Sequence, residues 1–328
     1  MVLILSRGEV ERLIDPDRLR DAVARAMADL SAGRVSMPQR IAALVPEHDG
    51  LLAAMPAYLP SAAALTTKLV SLFPRNTDRP THQAVIVVFD GEHGTPVAFM
   101  DGEAITAART AAGSALSTDL LARKDARVLA VIGTGVQAAA HLRAVPRVRR
   151  FDEVRVAGRR AEKAKALLDE ARTWLPDATL TAAASYEQAI AGADVVSATT
   201  HSPEPVVRRE WLATGAHVTS VGYNTAGREL DGGVFRDALL VVESRAATLA
   251  PPPAGSNDIA LAIKEGAIAR DAVPAELGEL VSGVRPGRTD ARQLTVYKSV
   301  GVAVQDAAAA SMVLEAARRQ GIGREVAI

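Results

Sequence analysis

The segment at residues 127–138, RVLAVIGTGVQA, limits the fold of this chain more than any other. Its apolar run VLAVI reads as a short buried strand, Gly133-Thr134-Gly135 as a tight turn, and the residues from Val136 onward as the start of a helix. In that setting G-x-G-x-x-A gives each small residue a task. Gly133 permits the turn, Gly135 lets a pyrophosphate approach bare backbone, and Ala138 lets the helix pack closely on the strand. The helix start at Val136 and Gln137, with Thr134 in the turn, adds unpaired N–H groups and a partial positive charge, which favour an anion. A plain tight turn is the alternative, and it leaves both matching flanks as coincidence.

The same grammar continues downstream. EVRVAG, TLTAAA, ADVVSATT, AHVTSVG and ALLVVES read as short strands, separated by helical stretches such as AEKAKALLDEARTWL, which is the signature of a doubly wound parallel sheet. Upstream the pattern differs. After a helix at about residues 15–32 come PQRIAALVP, LLAAMPAYLP, ALTTKLVSLF, QAVIVVFD and TPVAFMDG, extended segments with turn punctuation; the last two are joined by the turn formers of residues 90–94. They predict a largely antiparallel sheet, partnered by a helix over residues 103–122. An Ala-rich amphipathic stretch at residues 301–320 closes the chain and can pack back on this first part. The expected class is α/β: a Rossmann-type doubly wound parallel sheet over residues 123–300, and a discontinuous α+β domain over residues 1–122 and 301–328. Residues 251–257, PPPAGSN, read as one loop.

Composition removes other classes. Lys+Arg and Asp+Glu both number 38, so no global field draws the chain to nucleic acid or to an anionic membrane. With no cysteine, disulfides, thiolate metal sites and cysteine nucleophiles are excluded, which suits a cytoplasmic protein. The opening MVLIL is too short for a signal-peptide core, and no apolar run approaches the length of a membrane span. None of the histidines has ligand spacing such as H-x-x-x-H, so no metal is expected, and solvated or core roles are.

About twenty residues beyond the glycine turn, an NAD site usually carries an acid for the ribose 2′-hydroxyl. Here Gly158-Arg159-Arg160 stands instead. Glycine removes a repulsive carboxylate and two guanidiniums can bind a 2′-phosphate, so NADP(H) is favoured over NAD(H). Two solvated arginines at a helix start are the alternative, although positive charge there opposes the helix dipole. Thr199 and Thr200, ending ADVVSATT, would line the crevice at the strand ends; ordinary strand-end polar residues are an equal alternative.

Three cations stand out in the first part. Alternation in ALTTKLVSLF puts Lys68 on one face with Thr66, Val70 and Leu72, a mostly apolar neighbourhood for an ammonium. Arg109 has no acid at i±3 or i±4 to pair with, and Arg40 precedes an apolar strand. Singly each reads as a snorkelling surface side chain. Together they could clamp and orient a small carboxylate.

Met55-Pro56-Ala57-Tyr58, Leu65-Thr66-Thr67-Lys68, Met100-Asp101-Gly102, Ile105-Thr106-Ala107-Ala108-Arg109-Thr110, the glycine turn, Arg228-Glu229-Leu230-Asp231 and Tyr297-Lys298-Ser299-Val300-Gly301 resemble, in order, the motifs of the ornithine cyclodeaminase/mu-crystallin family. The resemblance spans nearly the whole chain. It implies a homodimer, with the discontinuous domain supplying both the dimerisation sheet and the substrate site. It assigns Arg40, Lys68 and Arg109 to a substrate carboxylate, Thr110 to the cofactor, and Ser299 to the neighbourhood of the nicotinamide.

The family contains cyclodeaminases, alanine dehydrogenases, ketimine reductases and mu-crystallins, so fold alone does not choose the reaction. Two departures do. Where similar cyclodeaminases carry an essential aspartate, this chain has Asn224, which cannot act as a base; where they carry a glutamate for the distal amino group, it has Ala53. A diamine would lose both anionic anchors. The expected activity is therefore NAD(P)H-dependent reduction of a small, cyclic imino carboxylate, with Lys68 as proton relay or, equally, as a carboxylate ligand, and Asn224 hydrogen-bonding the nitrogen. A cyclodeaminase and a non-catalytic NADPH-binding protein are the alternatives.

Overall fold

A computed structural model of the chain describes residues 1–224, 227–251, 254–269, 271–272 and 274–328. These divide into two compact units, Met1–Arg109 with Val302–Ile328, and Thr110–Gly301. Of the expected 251–257 loop, Pro252 and Pro253 lie outside the described residues.

In the first unit the alternating segments pair into a seven-stranded sheet, ordered Arg324–Val326, Val2–Leu5, Pro96–Asp101, His82–Phe89, Ala64–Leu72, Gly50–Leu59, Ile41–Val45. Only Val2–Leu5 with Pro96–Asp101 pairs in parallel. Period two sorts the side chains: along Ala64–Leu72, residues Ala64, Thr66, Lys68 and Val70 are buried and their neighbours half-buried. The helix Pro16–Ser31 starts where the Asp15 carboxylate accepts the N–H groups of Asp17 and Arg18. It packs on the closing helix Ala303–Gln320, as does the short helix Arg7–Leu13, and the closing helix covers the inward face of the central strands. Gly321, at φ 64°, ends that helix in the left-handed conformation. The opposite sheet face carries Ile41 (72% exposed), Leu52 (49%), Tyr58 and Phe99 (both 39%).

The second unit holds eight parallel strands, ordered Ala275–Glu276, Ala238–Val242, Leu294–Lys298, His217–Ser220, Val195–Ala198, Val128–Ile132, Glu153–Ala157, Thr179–Ala182. Chain order reverses beside Val128–Ile132, whose neighbours are Glu153–Ala157 and Val195–Ala198, and at such a switch point the carboxyl ends of the strands open a crevice. Apolar clusters fill both faces of the sheet. Among the described residues no helix is long and apolar enough to cross a membrane.

Candidate functional site

Lys68 sits in the middle of a cross-strand row, paired with Met55 on one side and Ile86 on the other, with Met100 beyond Ile86. All are buried, so the ammonium rises from an apolar surface and needs a counter-charge. That charge comes from a residue the sequence reading missed. Asp306, on the closing helix, places Oδ2 2.7 Å from Lys68 Nζ and Oδ1 3.0 Å from Arg109 Nε. Exposure is 3% for Lys68, 4% for Arg109 and 1% for Asp306. The adjacent Gln305 accepts from Arg109 Nη1 at 3.2 Å, and its own amide donates to Met27 Sδ at 3.4 Å.

Two cations thus share one carboxylate, and donors are left over. A lysine ammonium has three N–H groups and a guanidinium five. Among the described residues Lys68 has only its ion pair with Asp306, whose Oδ2 takes no hydrogen bond of good geometry, and two of Arg109's N–H groups meet an acceptor. Burial, partly offset by Asp306 and reinforced by Arg109 and Arg40, lowers the Lys68 pKa to about 8. Burial alone would raise Asp306; Lys68 and Arg109 outweigh it and hold that carboxyl below its ordinary value. Arg40, half-buried, immediately precedes Ile41, which pairs with Ala54, so it lies one step from the Met55 end of the Lys68 row. The structure therefore brings Lys68 and Arg109 together on one acid, with Arg40 near enough for its charge to act on Lys68.

His82, read from sequence as solvated or core, begins the strand next to Lys68's and lies on the same face as Ile86. Burial first, then the Lys68 and Arg109 charges, push its pKa to about 4, so it is neutral beside the cations.

In the second unit the glycine turn has the expected context, between the strand Val128–Ile132 and the helix Val136–Ala144. Gly133 has φ 123°, and a Cβ there would lie 2.5 Å from Thr199 Oγ1, so no other residue fits. Nothing approaches a Cβ at Gly135 within 4 Å, which leaves its backbone open. Among the described residues no side chain caps this helix, which leaves its first N–H groups open, and the buried Gln137 Oε1 has no hydrogen-bond partner. These features fit a dinucleotide pyrophosphate. Thr134 packs against Gly158, whose absent Cβ would lie 2.6 Å from Thr134 Cγ2. Arg159 and Arg160 are exposed at the start of the helix Ala161–Ala171; Arg160 has only a loose contact with Glu162 at 4.0 Å. Thr110 is buried in the helix Gly102–Leu121.

The strand ends are organised by two buried acids that sequence reasoning did not single out. Glu229 accepts from Thr200 N (2.5 Å) and Oγ1 (2.9 Å) on one oxygen, and from Ser220 Oγ (2.7 Å) and Gly222 N (2.9 Å) on the other. Burial raises its pKa, and Lys298, paired with Asp258 at 3.0 Å, counters this. Glu243 accepts from Ser299 Oγ (3.0 Å) and from the N–H groups of Val300 and Gly301. Thr200 and Ser299 thus spend their hydroxyl protons inward, as does Thr199, which donates to the Ile132 carbonyl at 2.8 Å. Asn224 donates Nδ2 to the His201 carbonyl and accepts from Gly227 N, so its amide braces a loop. Among the described residues no group of three or more His, Asp or Glu side chains could hold a metal ion.

The model of the ornithine cyclodeaminase/mu-crystallin family matches residues 1–321. The chain belongs to this family. Among its relatives, the ketimine reductase mu-crystallin of Mus musculus is 38% identical over 318 residues, covering 95% of this chain and 96% of that protein. The family fold is also seen in the Δ1-pyrroline-2-carboxylate reductase of Thermococcus litoralis in complex with NADH and L-proline, at TM-score 0.94 and 38% identity over 99% of this chain and all of that one. An archaeal alanine dehydrogenase dimer with bound NAD aligns at TM-score 0.90 and 31% identity, over 99% of each chain.

Proposed function

We propose that this member of the family reduces the C=N bond of a small, cyclic imino carboxylate to an L-amino acid. When bound, NAD(P)H would supply the hydride for this reduction. The observation that carries the reading is the donor set: buried Lys68 and Arg109 share Asp306 and, among the described residues, still hold N–H groups without acceptors, as suits a site for a carboxylate. Arg109 and Arg40 hold the carboxylate. Lys68, with its pKa near 8, keeps at Nζ the proton that the substrate nitrogen takes up as the carbon is reduced. Its remaining N–H groups serve equally as carboxylate donors. Where similar cyclodeaminases carry a glutamate for a distal ammonium, this chain has Ala53, buried on the face of Met55, opposite Val70. The mouse relative is named a ketimine reductase, and the Thermococcus litoralis one a pyrroline-2-carboxylate reductase.

The cofactor would lie on Gly133, Thr134, Gly135, Val136 and Gln137, with Thr110, Thr199, Thr200 and Ser299 around its nicotinamide half. Exposed Arg159 and Arg160, beside a residue 158 without a side chain, favour NADPH over NADH. Asn224 acts through the loop it braces. We further propose a homodimer joined through the apolar sheet face of Ile41, Leu52, Tyr58 and Phe99. A cytoplasmic location goes with a small-molecule substrate and a diffusible cofactor.

The test is cofactor absorbance with five- and six-membered cyclic ketimines. Net NADPH oxidation is expected. Ammonia release from ornithine or lysine without net cofactor change would assign a cyclodeaminase instead, and tight NADPH binding with neither reaction would assign a binding protein.

A further inference from the structure

We infer that Asp306 is the positioning residue of this site: it holds Lys68 and Arg109 at one spacing and leaves their remaining N–H groups to the substrate. The inference rests on the reductase reading above and concerns a residue outside the cation clamp itself. Three observations converge on it. Asp306 is the one ion-pair partner of Lys68 among the described residues, at 2.7 Å, so nothing else there fixes the ammonium. It takes the Nε of Arg109 at 3.0 Å while Gln305, one residue before it on the same helix, takes Nη1 at 3.2 Å. With Nε occupied, the side-on edge of the guanidinium is closed, and Arg109 can meet a carboxylate only end-on through its Nη groups. The orientation of the bound acid is therefore set by an aspartate that never touches it.

The same carboxylate fixes the charge state. The ionisable groups facing Lys68 are Asp306 from the closing helix, Arg109 from Gly102–Leu121, Arg40 before Ile41–Val45, and His82 from His82–Phe89; Gln305 and Met27 beside them do not titrate. Of these, only Asp306 favours the protonated lysine. His82, neutral down to about 4, does not titrate alongside Lys68. Without Asp306, burial and two arginines act unopposed, and Lys68 loses its proton at lower pH.

The experiment compares the pH dependence of kcat/KM for a cyclic ketimine in the wild type, Asp306→Asn and Asp306→Glu, with NADPH affinity measured on each. The substrate's own ionisation is common to all three and cancels. In the wild type the alkaline limb should fall near 8. In D306N it should move down by about one to three units, with NADPH affinity unchanged. D306E keeps the charge but displaces it by a methylene, so the limb should stay while kcat/KM drops about a hundredfold. A D306N limb that does not move overturns the inference and makes the aspartate a structural counter-ion. Should D306N fail to fold, D306E decides: wild-type kcat/KM in that variant overturns the positioning role. A wild type that reduces no imino acid sinks the functional reading, whereas an active wild type with an unshifted D306N limb sinks only the inference about Asp306.

Discussion

Thr134 fills the space that any side chain at position 158 would need, since a Cβ on Gly158 would lie 2.6 Å from Thr134 Cγ2. The pair binds the glycine turn to the end of the next strand. It also bears on cofactor choice, because an acid in that region is how an NAD site holds the ribose. Gly158→Asp alone should weaken NADPH and NADH alike, by displacing the turn. With Thr134→Ala added, NADH binding should recover and NADPH binding should not. Arg159→Ala with Arg160→Ala should cost about ten- to hundredfold in NADPH affinity and leave NADH within about threefold. Fluorescence titration with each cofactor checks all three; equal losses in the arginine variant would remove the assignment of NADPH.

Lys68→Met and Arg109→Met separate the two halves of the chemistry. Each should lower kcat/KM for the imino acid by about a hundred- to ten-thousandfold, through loss of orientation and of the transferable proton. NADPH affinity should be unchanged in both. A variant that keeps its kcat/KM would show that the carboxylate binds elsewhere.

Acid should destabilise the second unit for an identifiable reason. His141 and His217 are fully buried, and burial pushes their pKa values from 6.5 to about 4 and about 3. Their ring nitrogens meet Ser114 and the Gln137 carbonyl in one case, Ser117 and Thr295 in the other. Above the unfolded value of 6.5 both states are neutral and the full contribution is present. As pH falls toward the folded values, the unfolded chain takes up protons that the native state excludes, so stability is lost, on the order of 3 kcal/mol per histidine. Melting temperature should therefore be flat above about pH 6.5 and drop below it. His217→Gln should give a shallower drop; an unchanged slope would assign acid lability to other groups.

The uncovered sheet face predicts assembly. Phe99→Asp or Tyr58→Asp puts a carboxylate among exposed apolar side chains of that face and should convert the protein to a monomer in sedimentation experiments. A wild type that sediments as a monomer would remove the proposed interface.

The sheets were legible because their signals are local: LTTKLVSL and QAVIVVFD are short runs rich in β-branched residues, and VLAVIGTGVQA joins strand, turn and helix within one window. What stayed hidden depends on distance. Helix spacing offers Arg109 no acid on its own helix, whereas Asp306 lies 197 residues away in sequence. A signal existed, since Gln305 and Asp306 interrupt an otherwise Ala- and Val-rich stretch that must be buried, and an acid in such a stretch needs a cation. The strand Leu294–Lys298 was missed because Lys298 looks like a surface residue. In the fold its ammonium is buried against Asp258 and the Gly222 carbonyl, in a strand between His217–Ser220 and Ala238–Val242. The short strands Val2–Leu5 and Arg324–Val326 carry too few residues to display a period.

Glu229 ties Thr200, Ser220 and Gly222 to one carboxylate, and a Cβ at Gly222 would lie 2.6 Å from its Oε2. Those positions consequently behave as a single unit of design. Randomising any one of them alone would return mostly damaged proteins and suggest an intolerant rim, while a library that varies the acid together with its donors could reshape this end of the crevice without unravelling the strands beneath it.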